Sequence, residues 1–139
     1  MSANLFGTAE SDKRILVVDF GAQYAQLIAR RVRESNVYSE IVSHELDAEN
    51  FAELKPSGII FSGGPASVNV EGAPKIDPAI YELGVPILGI CYGAQLIAQQ
   101  NGGSVEGNEK GEYGRTVVNV NESGILLTGE ETSTQQVWM

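Results

Sequence analysis

The chain has 139 residues, 42% of them hydrophobic, which suits one globular domain with a single core. Its formal net charge of −9, from 18 acidic and 9 basic residues, argues against binding to a phosphate backbone, which needs clustered Lys and Arg. The one cysteine cannot form an internal disulfide, no apolar run approaches the ~18 residues of a membrane span, and the start of the chain lacks the apolar segment of a signal peptide. A cytoplasmic protein with a flexible leader over residues 1–13 is therefore expected.

The first element predicted is a strand at Arg14-Ile15-Leu16-Val17-Val18-Asp19, a continuous aliphatic run of the kind that is buried on both faces. Gln23 to Glu34 follows as a helix, with Leu27, Ile28, Ala29 and Val32 at near-helical spacing and arginines late in the segment, where they suit the helix dipole. The cluster Arg30-Arg31-Val32-Arg33 reads as a solvated helix face. Tyr38 to Val42 is a second strand, Ala48 to Leu54 a short helix, and Ile59-Ile60-Phe61 a third strand that ends in Ser62-Gly63-Gly64-Pro65. Ala66 to Ile76 has little periodicity and is predicted as a surface loop, before a short helix over Pro78 to Leu83. A fourth strand, Pro86 to Ile90, leads into a helix from Tyr92 to Gln100, which the glycines of Asn101-Gly102-Gly103 should stop. Thr116 to Val120 and Gln135 to Met139 then read as strands with turn residues between them and no helix, a pattern suited to antiparallel pairing at a sheet edge.

Alternating strands and helices predict an α/β fold: a three-layer, mostly parallel open sheet with a flavodoxin-like core and antiparallel strands toward the C-terminus. Such sheets place chemistry beyond the carboxyl ends of their strands. Three glycine-bearing turns fall there, at Asp19-Phe20-Gly21, Ser62-Gly63-Gly64-Pro65 and Gly89 to Gly93.

The last of these, Gly89-Ile90-Cys91-Tyr92-Gly93, holds the sole cysteine between a buried strand and a helix. This is the pattern of a nucleophile elbow, in which Gly89 and Gly93 remove side chains that would collide at the sharp turn, and the helix N-terminus favours a thiolate. The backbone N–H of Tyr92, first in the helix, is placed to stabilise negative charge on an attacked carbonyl, and the Ser62-Gly63-Gly64 turn is the best source of a second donor. Neither a G-x-G-x-x-G nor a G-x-x-x-x-G-K-[ST] phosphate loop occurs. One Cys and one His without ligand spacing predict no metal site. A thiol nucleophile commonly works with a histidine, and the only one, His44, follows the second strand and reads as a loop residue.

Taken together these stretches resemble the class I glutamine amidotransferase domain, and within that class the amidotransferase domains of GMP synthases. The resemblance is carried by Asp19-Phe20-Gly21-Ala22-Gln23-Tyr24 with Gln26 to Glu34, by Ser62-Gly63-Gly64-Pro65, by Gly89-Ile90-Cys91-Tyr92-Gly93-Ala94-Gln95 and by Val137-Trp138-Met139. It implies that Cys91 attacks the side-chain carbonyl of glutamine and releases ammonia, that Gly64 and Tyr92 form the oxyanion hole, and that Gln95 and Gly63 help hold the substrate. It also implies a partner, an ATP-pyrophosphatase synthetase domain or subunit that aminates xanthosine monophosphate to GMP in purine biosynthesis; ATP and magnesium belong to that partner, and no cofactor is expected in this chain.

The family's His and Glu, spaced H-x-E, follow the Trp-Met strand, and the sequence ends at Met139. Residues 14–139 are therefore expected to be an incomplete amidotransferase domain with little glutaminase activity alone. Three alternatives stay open: a non-catalytic module that binds glutamine or docks on a synthetase, an amidotransferase of anthranilate or carbamoyl-phosphate synthesis, and another cysteine hydrolase in which the fold recruits His44.

Overall fold

The aliphatic run Arg14–Asp19 forms β1 at the middle of a four-stranded parallel sheet, flanked by β2 (Tyr38–Ser43) and β3 (Gly58–Phe61). β4 (Ile87–Gly89) pairs with β3, so the strand order is β2-β1-β3-β4. Helices α1 (Tyr24–Glu34), α2 (Ala48–Glu53) and α3 (Tyr92–Gln100) and a 3₁₀ helix at Pro78–Glu82 lie in the connections. The computed structural model describes residues 13–64, 67–107, 114–121, 124–126 and 134–138. The expected leader thus lies outside the described residues apart from Lys13, as do Pro65, Met139 and much of the expected turn between the last two strands.

Strand alternation sorts the core into two faces. Leu16 and Val18 of β1 and Ile59 and Phe61 of β3 are buried on one side with Phe51 of α2, Ile80 of the 3₁₀ helix and Tyr92 and Leu96 of α3. Val17 points the other way, into a smaller cluster with Ala25 and Ala29 of α1, and Ile15, Ile28 and Ile60 pack around it. Helices therefore cover both faces of the sheet, which gives the expected three layers.

Local signals explain the element ends. Asp47 caps α2, its carboxylate accepting from the Asn50 N–H at 2.9 Å. Asp77 caps the 3₁₀ helix through the Ala79 N–H at 3.0 Å and also accepts from the Ala48 N–H at 2.9 Å, joining it to α2. Proline at the first position suits the start of either helix type, and the sequence alone did not distinguish an α-helix from the 3₁₀ helix that forms. α3 stops at Gln100, with Gly102 at φ +90° closing the turn.

The chain falls into two compact units, Met1–Val105 and Glu106–Met139. The second contains β5 (Arg115–Asn119) and β6 (Thr134–Trp138), paired antiparallel. They form a two-stranded sheet of their own, not an extension of the parallel sheet at its edge. The pairing matches expectation; the placement corrects it, because the sequence pattern fixes a partner strand but not which sheet it joins.

Candidate active site

β4 ends at Gly89, and α3 starts at Tyr92. Between them Cys91 adopts φ 53° and ψ −113°, a region that side-chain-bearing residues rarely occupy and that costs about 1–3 kcal/mol. This reversal leaves the thiol exposed at the head of α3. Glycine on either side is a packing requirement. A Cβ on Gly89 would stand 2.7 Å from the Ala94 backbone, and one on Gly93 would overlap the Phe61 carbonyl oxygen and come within 2.5 Å of the Phe61 Cβ. The elbow is further fastened to β3 by the Ile90 N–H, which donates to the Phe61 carbonyl at 3.0 Å.

The turn after β3 lies directly alongside. Ser62 is fully buried, and its N–H donates to the Val18 carbonyl at 3.2 Å. A Cβ on Gly63 would be 3.9 Å from the Cys91 Cβ and 3.7 Å from the Tyr24 Cδ2, so this peptide runs beside the thiol with the first residue of α1 close by. Gly64 lies against the face of the Tyr92 ring: a Cβ there would be 2.7 and 2.8 Å from Cδ1 and Cδ2. Among the described residues no acceptor takes the N–H of Gly64 or of Tyr92. Tyr92 is the first residue of its helix, where unpaired donors are the rule.

The third glycine turn joins the same region through Phe20. Asp19 accepts from the Gly21 N–H at 2.7 Å, and Phe20 turns inward, fully buried, with its ring 5.4 Å from that of Tyr92 and 5.6 Å from that of Phe61. Outside it lie two shallow depressions, one bordered by Asp19, Gln23, Gln26 and Arg30, the other by Asp19, Ile41, Ser43 and His44. Cys91 lines neither.

Gln95 sits one turn after Cys91 on α3, and its side-chain oxygen faces the Val68 N–H at 3.5 Å. His44 stacks on Phe20 with ring centroids 5.9 Å apart, and its Nδ1 is 3.1 Å from the Lys75 carbonyl oxygen, so it donates there. It is a structural prop between the sheet and the segment 67–77.

That segment, expected as a surface loop, is a strap with buried anchors at Val68 and Ile76. Tyr92 Oη donates to the Pro74 carbonyl, His44 to that of Lys75, and Gln100 Nε2 to that of Ile76 at 2.9 Å. Lys75 Nζ bonds the Val68 carbonyl at 3.1 Å and Gln99 Oε1 at 2.7 Å. Three glutamines of α3 thus hold the strap that leads away from Gly64. Sequence reasoning missed these contacts and the approach of Tyr24 to Gly63, because each joins residues far apart in the chain. Tyr24 was signalled only as part of the resemblance over Asp19 to Tyr24.

Among the described residues there is no group of His, Cys, Asp and Glu that could hold a metal ion, and no helix long and apolar enough to cross a membrane.

The family model for class-I glutamine amidotransferases matches residues 16–139, and the chain belongs to this family. Within it, the chain is 55% identical over 131 residues to the glutamine-hydrolysing GMP synthase of Nocardia farcinica, covering 94% of this chain and 25% of that protein. It is 50% identical over 125 residues to that of Synechocystis sp., covering 90% of this chain and 23% of the relative. A solved structure of a protein assigned as a GMP synthase subunit from Thermoplasma acidophilum aligns with a TM-score of 0.76 at 32% identity, covering 91% of this chain and 63% of that one. The chain spans about a quarter of the length of these curated relatives.

Proposed function

We propose that this chain is the glutamine-hydrolysing part of a GMP synthase, with Cys91 as nucleophile. The observation that carries the reading is the mounting of Cys91: an exposed residue at positive φ at the head of α3, with the Gly63 turn alongside and, among the described residues, no acceptor on the N–H groups of Tyr92 and Gly64. The Cys91 sulfur attacks the side-chain carbonyl carbon of glutamine; a C–S bond forms, and the π pair moves to the oxygen, where the two N–H groups receive it. Collapse of that adduct breaks the C–N bond. The nitrogen leaves as ammonia after taking a proton, and water then hydrolyses the thioester to glutamate and restores the thiol. In this reading Gln95, one turn after Cys91 on α3, and the Gly63 peptide alongside Cys91 would help hold the substrate.

Proton transfer calls for a base, and His44 is engaged elsewhere, on Phe20 and the Lys75 carbonyl. In this reading the base is the family's H-x-E histidine, which is not among these 139 residues. A polypeptide of these residues alone should turn over glutamine about 10² to 10⁴ times more slowly than one that includes that pair. The ammonia would pass to a synthetase portion that uses ATP and magnesium to convert xanthosine monophosphate to GMP in the cytoplasm; the relatives' name, glutamine-hydrolysing GMP synthase, supports the pairing of glutamine hydrolysis with GMP formation.

The test is covalent labelling. A chloroketone analogue of glutamine should alkylate Cys91, located by peptide mass, and glutamine should protect it. Labelling indifferent to glutamine would overturn the assignment in favour of another thiol hydrolase.

A further inference from the structure

We propose that the Tyr92 side chain is a positioning element of the oxyanion hole: its ring and hydroxyl fix the Gly64 peptide relative to Cys91. The proposal rests on the assignment of the Gly64 and Tyr92 N–H groups as oxyanion donors made above.

An oxyanion hole built from two peptides needs both donors about 2.7–3.1 Å from one point. Here the two come from different elements, the head of α3 and the turn after β3. The helix fixes its own donor. The turn does not, because two consecutive glycines leave its backbone unusually free, and a misplacement near 1 Å can cost about 10²-fold in rate.

Tyr92 restrains both ends of the segment that begins at Gly64. At the near end its ring occupies the space that a Gly64 side chain would take, so Gly64 is in direct contact with the ring face. At the far end its hydroxyl donates to the Pro74 carbonyl, the first of three successive carbonyls by which the strap is held. The ring itself is immobilised: it is 2% exposed and packed against Phe20. Burial pushes the phenol pKa up, which keeps the hydroxyl protonated as a donor. One residue therefore supplies a donor from its main chain and orients the other donor with its side chain. A leucine at this position would fill space but could neither present a flat face to Gly64 nor bond Pro74.

The experiment compares a probe that needs the oxyanion hole with two that do not. 5-Oxopentanoate, an aldehyde analogue of glutamine without an α-amine to close on it, adds to a thiol to give a hemithioacetal: the sulfur bonds the aldehyde carbon, the π pair goes to the oxygen, and the thiol proton ends there. Iodoacetamide alkylates the same sulfur by displacing iodide and generates no oxyanion, and glutamine binding samples the ground state. Protection of Cys91 from iodoacetamide by each ligand gives both affinities and the intrinsic thiol reactivity in one assay on the full chain. Tyr92→Phe should leave the iodoacetamide rate and the glutamine affinity within about twofold and weaken the aldehyde about tenfold. Equal weakening of aldehyde and glutamine, or no weakening of either, overturns the proposal. If Tyr92→Phe does not fold, Tyr92→Leu serves with the same expected loss of aldehyde preference and the same overturning results. Absence of protection by either ligand in the unsubstituted chain would instead overturn the glutaminase reading on which the proposal rests.

Discussion

The glycines around Cys91 have different reasons to be glycine, and substitution should separate Gly93 from Gly63. Alanine is favoured over glycine inside a helix by about 1 kcal/mol, yet at Gly93 its methyl would press on the Phe61 backbone. Gly93→Ala should therefore lose about 1–3 kcal/mol net, the range for overpacking against a neighbour that cannot move. At Gly63 the added methyl meets Tyr24 and Cys91 at 3.7 and 3.9 Å, ordinary contact distances. Gly63→Ala should keep its stability to urea, within roughly 0.5 kcal/mol, while a methyl where the substrate would lie slows alkylation by the glutamine chloroketone. A stability loss at Gly63 as large as at Gly93 would contradict these contacts. The need for glycine at 89 and 93 could be read from the elbow pattern. The ring over Gly64 could not, since it depends on where β3 delivers its turn.

At the scale of elements, the two faces of the sheet are unequally supported. Among the described residues, eleven buried ones form the cluster toward α2, the 3₁₀ helix and α3, against three toward α1. Helix α1 also leaves Tyr24 62% and Leu27 51% exposed, and its ion pairs from Arg30 and Arg31 to Glu34 lie on the surface, where such pairs contribute little. Its firmest tie is the buried Ser39 hydroxyl of β2, which donates to the Ala29 carbonyl at 2.7 Å. Hydrogen exchange should consequently be faster in α1 than in α3, and Ser39→Ala should raise the α1 rates further while costing about 1 kcal/mol overall. Slower exchange in α1 than in α3 would show that something beyond these contacts holds it. The bounds of β1 and α3 were legible in the sequence because an unbroken aliphatic run and a glycine stop are local signals. The strap was legible only as aperiodic: what orders it are Tyr92, His44 and the α3 glutamines, contributed from elsewhere in the chain.

At the scale of the molecule, three groups among the described residues bear on the dependence of stability on pH. Burial pushes the Tyr81 phenol up to about 12 from an ordinary value of 10.0, while its hydroxyl donates to Gln100 Oε1 at 2.7 Å. Tyr92 is raised by the same cause. A raised tyrosine stays protonated in the folded chain after the unfolded chain has begun to ionise. Stability should therefore be full below pH 10.0 and fall toward pH 12. Asp77 is opposite in sign. The N–H groups of Ala48 and Ala79 hold its carboxyl below 3.8, so its contribution is present above that value and is lost as the pH falls through the lower folded one. Urea midpoints across the alkaline range should decline less steeply in Tyr81→Phe than in the parent; parallel curves would remove Tyr81 from the account.

The contact between Gly64 and the Tyr92 ring also ties two elements to one another's sequence. The ring occupies the space that a side chain at position 64 would take. Any larger residue there would have to displace the ring, and with it the hydroxyl that donates to the Pro74 carbonyl. A change in the turn after β3 would therefore be felt at the head of α3 and in the strap together.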